Sequence, residues 1–296
     1  MKQFLLTTLI ITGILLTPLT SVFAQNTIII GSNSIVNENI QANSSSQSSV
    51  KQNNSNIFNP NEIISDKEIY SLPTKFDSAD KIRAYLISQG SFLANYKVDI
   101  GFENDDDLWS MATVKQNMGQ YAGKQMDFSD FIWKMSQTEM ANSCSFINKN
   151  VCIDQKARPI NPALLLALIQ RESGLIRGKN AKLDPNSSSA KFLLDRSMAY
   201  MCSDSSNDSQ SCYDQNPDWR YFKGMFRQVY YGTRLLLINA KRCELGTYRN
   251  YRVGNTVNLD GENVKLENGF TCSSYIYTPH ILSQKALYKV YRDITA

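Results

Sequence analysis

Apolar side chains recur at three-and-four spacing through most of the chain, and that spacing predicts helices. Asp77-Ser78-Ala79-Asp80 reads as a helix opening, with Ile82, Tyr85, Leu86 and Phe92 on one side and Gly90 near the end. Phe128, Phe131, Ile132 and Met135 repeat the pattern, with Asp127 or Ser129 available as a cap. Asn161-Pro162 caps and starts another helix, because proline is tolerated at the first helical position. Pro217 has the same place before a long helix through Phe222, Phe226, Val229, Leu236, Leu237 and Ala240. That helix is apolar nearly all round at Leu235 to Ile238, which predicts a central position. A last helix covers Ile281 to Ile294, with Leu287, Val290, Tyr291 and Ile294 in phase. Strand patterning is confined to Thr256–Leu259 and Asn263–Leu266 around Asp260-Gly261-Glu262, a short hairpin. The expected fold class is therefore mainly α with a small β-hairpin.

The first sixty residues follow another pattern. Lys2, then an apolar run from Phe4 to Leu16, then Val22-Phe23-Ala24 form a secretory leader with a cleavage site after Ala24. The apolar run is short for a span, which needs about 20 residues. No later run is long and apolar enough to cross a bilayer. Residues 25–61 are dominated by Asn, Ser and Gln and cannot bury enough apolar surface to offset their ordering entropy, so they read as a disordered tether. The folded domain is expected at 62–296, with a helical part at 62–140 packed on the rest. The protein is expected to be secreted or extracytoplasmic.

Export changes the meaning of the six cysteines. Loop closure between near neighbours favours Cys144–Cys152, Cys202–Cys212 and Cys243–Cys272. A zinc site is disfavoured because there is no Cys-x-x-Cys and one histidine, His280, so no metal or cofactor is expected. His280 itself reads as a cap or packing residue. The 31 basic against 27 acidic side chains make a mild balance, of which the leader removes only Lys2. Nucleic-acid binding calls for a concentrated basic face and is not expected. Asp105-Asp106-Asp107 reads as a solvated loop, and Trp219 and Tyr230-Tyr231 as core aromatics.

The most informative stretch is Asn161 to Ile176, with Leu165, Leu168, Ile169, Glu172 and Ile176 on one helical face. A carboxyl interrupting an apolar stripe is costly to bury as an unpaired charge. It escapes by keeping its proton, and a protonated carboxyl can serve as a general acid toward a glycosidic oxygen. Set against this, Gly174 could end the helix and leave Glu172 in solvent.

Pro162 to Leu175, with its proline, apolar helix and Glu-Ser, resembles the catalytic helix of lytic transglycosylases and goose-type lysozymes, members of the lysozyme-like superfamily. Met198-Ala199-Tyr200-Met201-Cys202 is similar to the second family segment, Gly224 to Val229 to the start of the following core helix, and Tyr275 to His280 to the closing motif of a secreted bacterial subgroup. Gln89 to Tyr96 resembles an upstream element of that subgroup, and the likeness spans roughly residues 66 to 294. It implies a lysozyme-like domain acting on peptidoglycan glycan strands. Glu172 would protonate the bond between N-acetylmuramic acid and N-acetylglucosamine, then draw the proton from the muramoyl 6-hydroxyl to close a 1,6-anhydro ring. Ser173 would contact substrate. Tyr277, in preference to Tyr275, would hold the Glu172 carboxyl. Met198, Tyr200 and Gln228 would line the groove. A hydrolytic version needs a second carboxylate about 6.5–9.5 Å away for inversion, for which Asp184, Asp195 and Asp204 are candidates. A wall-binding module without catalysis is a further alternative, and a disulfide-braced structural protein with coincidental motifs is another. The sequence departs from the family at Ser197-Met198-Ala199-Tyr200, where Gly-Leu-Met-Gln is commonest and the nearer subgroup tends to have Gly at the place of Ala199. The common Tyr-Asn-x-Gly ending is also absent.

Overall fold

A computed structural model describes residues 57–101, 118–141, 143–145, 148–154, 158–201 and 221–296. The expected leader, the expected tether as far as residue 56, Asp105 to Asp107, Asp204, the expected Cys202–Cys212 pair, Pro217 and Trp219 lie outside the described residues.

The protein is mainly α. Among the described residues its α-helices are α1 (Asp66–Ile69), α2 (Ala79–Ser88), α3 (Phe128–Ser136), α4 (Pro162–Ser173), α5 (Ser188–Asp195), α6 (Met225–Leu245), α7 (Gly269–Tyr277) and α8 (Ile281–Thr295). Two antiparallel pairs accompany them among those residues. β1 (Lys97–Ile100) pairs with β2 (Lys124–Asp127), Val98 opposite Met126; β3 (Thr256–Leu259) pairs with β4 (Glu262–Lys265), Leu259 opposite Glu262. Only the second pair was expected. Its turn is two residues, Asp260-Gly261, both at positive φ (52° and 87°), so β4 begins one residue earlier than the alternation suggested.

α4 is the axis of the molecule. Asn161 caps it by accepting from the Ala163 amide at 2.9 Å, and Pro162 occupies its first turn. Pro162 to Ile169 are all buried, so the helix is enclosed on every side rather than along a stripe. Each buried Leu or Ile contributes about 2 kcal/mol. α8 and α3 pack against it: Asn161 Nδ2 donates to the Tyr291 hydroxyl (3.0 Å), and the Ile160 amide to the Ser136 carbonyl (2.9 Å). Gly174 ends α4 at φ 69°, which places Ile176 beyond the helix and removes it from the expected stripe.

α6 is also largely buried, as its pattern predicted, but it starts at Met225 rather than at Pro217. Tyr221 to Gly224 form turn and loop, and Gly224 at φ 96° cannot continue a helix backward. α7 lies along α6, clamped by the Cys243–Cys272 disulfide and by Ser273 Oγ donating to the Leu236 carbonyl (2.6 Å). Cys144–Cys152 closes a tight loop beside α6, where Arg234 donates to the Cys144 carbonyl. Both pairings are those expected from near-neighbour closure.

Residues 57–61, expected as the end of the tether, lie against the body. Phe58 meets the Tyr288 ring at 5.7 Å, and the Asn61 side chain accepts from the Lys265 amide at 2.8 Å, which docks 57–61 onto the body. One hydrophobic cluster runs from Ile63 to Ile294. Among the described residues no helix is long and apolar enough to cross a membrane.

Candidate active site

The site starts where α4 stops being apolar. Gln170, Arg171, Glu172 and Ser173 are its last residues before the glycine, all of them polar. The backbone after them is locked: Gln170 Oε1 accepts from the amides of Ile176 (3.1 Å) and Arg177 (2.9 Å), and Asn180 Nδ2 donates to the Ser173 carbonyl (3.0 Å). Gly174 also receives Asn180 closely, its missing Cβ lying 3.0 Å from the Asn180 amide nitrogen.

Glu172 is at the helix end without facing solvent. Its side chain is 6 % exposed and that of its neighbour Arg171 is 8 % exposed. Arg171 Nε donates to Glu172 Oε1 at 2.6 Å, and Arg171 Nη2 leans on the same oxygen. The unpaired carboxyl expected from the sequence is thus an ion pair. The stripe argument missed Arg171 because adjacent helical residues do not share a face; here the long guanidinium stem folds back along the helix end. Ser173 Oγ donates to the Ile169 carbonyl at 2.7 Å and is buried, so it faces its own helix rather than a groove.

A second group forms around the turn at 198–201. Gln228, fully buried on α6, reads that turn with both ends of its amide. Its Oε1 accepts from the Met198 (3.3 Å) and Tyr200 (3.0 Å) amides, and its Nε2 donates to the carbonyls of Tyr200 (3.1 Å) and Phe222 (2.8 Å). Met198 packs its thioether onto Gly232, where a Cβ would fall 3.0 Å from Met198 Cε. Tyr277 closes the other side, its hydroxyl donating to the Met198 carbonyl at 2.5 Å. Tyr200 stacks on Tyr231 (6.0 Å, 18°) and meets Phe222 edge-on, and burial pushes its hydroxyl up to about 12. Met198, Tyr200, Gln228 and Tyr277 therefore belong to one cluster. Met198 and Gln228 build it from within, being fully buried, and only Tyr200 and Tyr277 are partly exposed. No hydrogen bond joins this cluster to Glu172; the one expected from Tyr277 goes to Met198 instead. Tyr275 is not brought here. Its ring is in the core and its hydroxyl donates to the Pro60 carbonyl at 3.0 Å. Tyr230 and Tyr231 are buried, as core aromatics are.

Of the candidate second carboxylates, Asp184 forms a local turn with the Asn186 amide (2.9 Å). Asp195 lines a cleft of about 300 Å³ with Tyr96, Asp99, Lys223 and the first turn of α6. Burial raises the Asp195 carboxyl above the ordinary range, with Lys223 opposing. Nothing in the sequence placed Tyr96 and Asp99 of the β1 region beside Asp195. His280 is tied to Asp260, Nδ1 to Oδ1 at 2.9 Å, at the mouth of α8. Among the described residues no group of three or more His, Cys, Asp or Glu could hold a metal ion. Comparison of the chain with protein-family models, curated proteins and solved structures returned no match.

Proposed function

We propose that the protein is a lytic transglycosylase of lysozyme-like fold that cleaves the MurNAc–GlcNAc bond of peptidoglycan, with Glu172 as its acid/base. The observation that carries the reading is a glutamate side chain almost wholly withdrawn from water at the end of an otherwise apolar, enclosed helix. A general acid in a water-excluded site calls for such a group. Glu172 would protonate the leaving oxygen and then, as carboxylate, take the proton of the muramoyl 6-hydroxyl. The substrate supplies the nucleophile, so a second carboxylate is unnecessary. The turn held by Gln228 and Tyr277 would offer Tyr200 as a sugar-facing wall. Two disulfides suit an extracytoplasmic setting.

A hydrolytic outcome would need a second carboxylate facing Glu172; Asp195 lies in a cleft whose lining does not include Glu172. Mass analysis of the soluble products from purified peptidoglycan separates the readings. Anhydromuramoyl ends are expected. Reducing ends would favour hydrolysis, and retention without release would favour a binding module. Glu172→Gln is expected to lower turnover by about a thousandfold or more while keeping sedimentation with the wall polymer; unchanged turnover sinks the assignment.

A further inference from the structure

We propose that Arg171 is a substrate-operated latch: its guanidinium holds the Glu172 carboxylate until a carboxylate on the glycan strand draws it away. The inference rests on the glycan-cleavage reading above and adds a determinant of substrate choice to it.

An acid must carry a proton, and a carboxylate gripped by a guanidinium is an acceptor. The paired state is therefore a resting state. The grip is also incomplete. Arg171 presents a fork suited to two carboxylate oxygens, yet Nε and Nη2 both converge on Glu172 Oε1, and among the described residues no hydrogen bond reaches Oε2. Nη2 is buried and has no hydrogen bond of good geometry to any group. A side chain only 8 % exposed and so poorly satisfied gains by meeting another acceptor.

Moving it has a condition. Separating a buried ion pair without replacing a partner leaves an uncompensated charge, which is strongly unfavourable. A neutral glycan offers no replacement. A strand whose muramoyl residues carry a carboxylate, on the lactyl group or on an attached peptide, does. The guanidinium then exchanges one carboxylate for another, and Glu172 takes a proton from solvent. One guanidinium and one carboxylate are present before and after, so the charge of the site is conserved. The exchange needs only side-chain motion, because Gln170, Gly174 and Asn180 fix the backbone on the C-terminal side.

The test is a cycle of two substrates against variants of the full chain. The substrates are peptide-free glycan strands and intact peptidoglycan, each with its carboxyls free and with them converted to amides; the second pair separates the lactyl from the peptide source. Wild type is expected to cut carboxylated strands about tenfold faster than amidated ones, the scale of one charge-assisted hydrogen bond. If that preference appears only with intact peptidoglycan, the peptide carboxylate is the one drawn. Arg171→Met and Arg171→Gln are expected to bring the ratio near one by cutting amidated strands faster, and Arg171→Lys to keep the preference by keeping the charge. Equal rates for wild type on every pair, or a ratio unchanged in Arg171→Met and Arg171→Gln, overturns the latch and leaves glycan cleavage intact. Failure of wild type to cut any strand removes the functional reading and the latch with it. A loss of stability alone would slow both substrates alike and leave the ratio where wild type has it, so a collapsed ratio reports on the latch.

Discussion

Ala199 has a left-handed backbone, φ 53°, in the turn that Gln228 and Tyr277 hold, and Met201 follows at φ 55°. For a residue with a Cβ that conformation costs about 1–2 kcal/mol, and the turn persists because three hydrogen bonds with Gln228 and one from Tyr277 determine it. Ala199→Gly is expected to relieve the strain and, after the greater entropy of glycine in the unfolded chain, to raise stability by about 0.5 kcal/mol; urea unfolding measures it, and a lower midpoint would contradict the assignment. Arg171 and Glu172 teach a related lesson. Two neighbours in sequence are read separately by any helical projection, yet a long side chain at a helix end can fold onto its neighbour when both are shut from water.

At the scale of elements, the β3–β4 hairpin serves as a cap. Its turn residue Asp260 accepts the Ile281 amide on Oδ2 at 2.8 Å and meets His280 on Oδ1, so a carboxylate satisfies the open N-terminus of α8 from a different element. The His280 hydrogen bond, opposed by desolvation and aided by the Ile281 amide, holds the Asp260 carboxyl below the ordinary carboxylate range. A depressed folded-state value stabilises above the unfolded carboxylate range and ceases to do so as pH falls through the folded value. Asp260→Ala is therefore expected to cost about 1 kcal/mol near neutrality, and thermal melts of variant and wild type should converge as pH falls below about 4. Because Asp260 is over a third exposed, the pH-dependent part will be small and weakened by salt. A gap that widens toward acid pH would refute the capping role.

For the molecule as a whole, α4 is threaded through a core to which nearly every element contributes, from Ile63 to Ile294. α6 and α7 form the second support, with Cys243 and Cys272 fully buried between them and 29 residues apart in sequence. Closing a loop of that size removes unfolded-state entropy, and replacing both cysteines with serine is expected to cost about 3 kcal/mol. Denaturant midpoints of the oxidised chain and of Cys243→Ser/Cys272→Ser give the value. The Cys144–Cys152 loop spans 8 residues, so its loss should cost less; the reverse order would mean that Arg234's contact with Cys144 outweighs chain entropy.

Local rules determined what local rules govern. Capping chemistry located α2 and α4, apolar periodicity located α3 and α8 and the centrality of α6, and near-neighbour closure gave both described disulfides. The same rules named Glu172 as the polar interruption of a buried helix. They could not see α7, whose first turn is satisfied partly by Asp66 from another helix, or the β1–β2 pair, whose partners are separated by more than twenty residues. They started α6 too early because a proline marks where a helix is permitted, while a glycine at positive φ marks where it is forbidden. Only tertiary structure decided which side chains meet. It turned Tyr275 toward Pro60 and Tyr277 toward Met198, set Gln228 inside the 198–201 turn, and folded Arg171 onto Glu172. Those outcomes depend on exclusion of water and on contacts between distant segments, and neither is a property of any stretch of sequence taken alone.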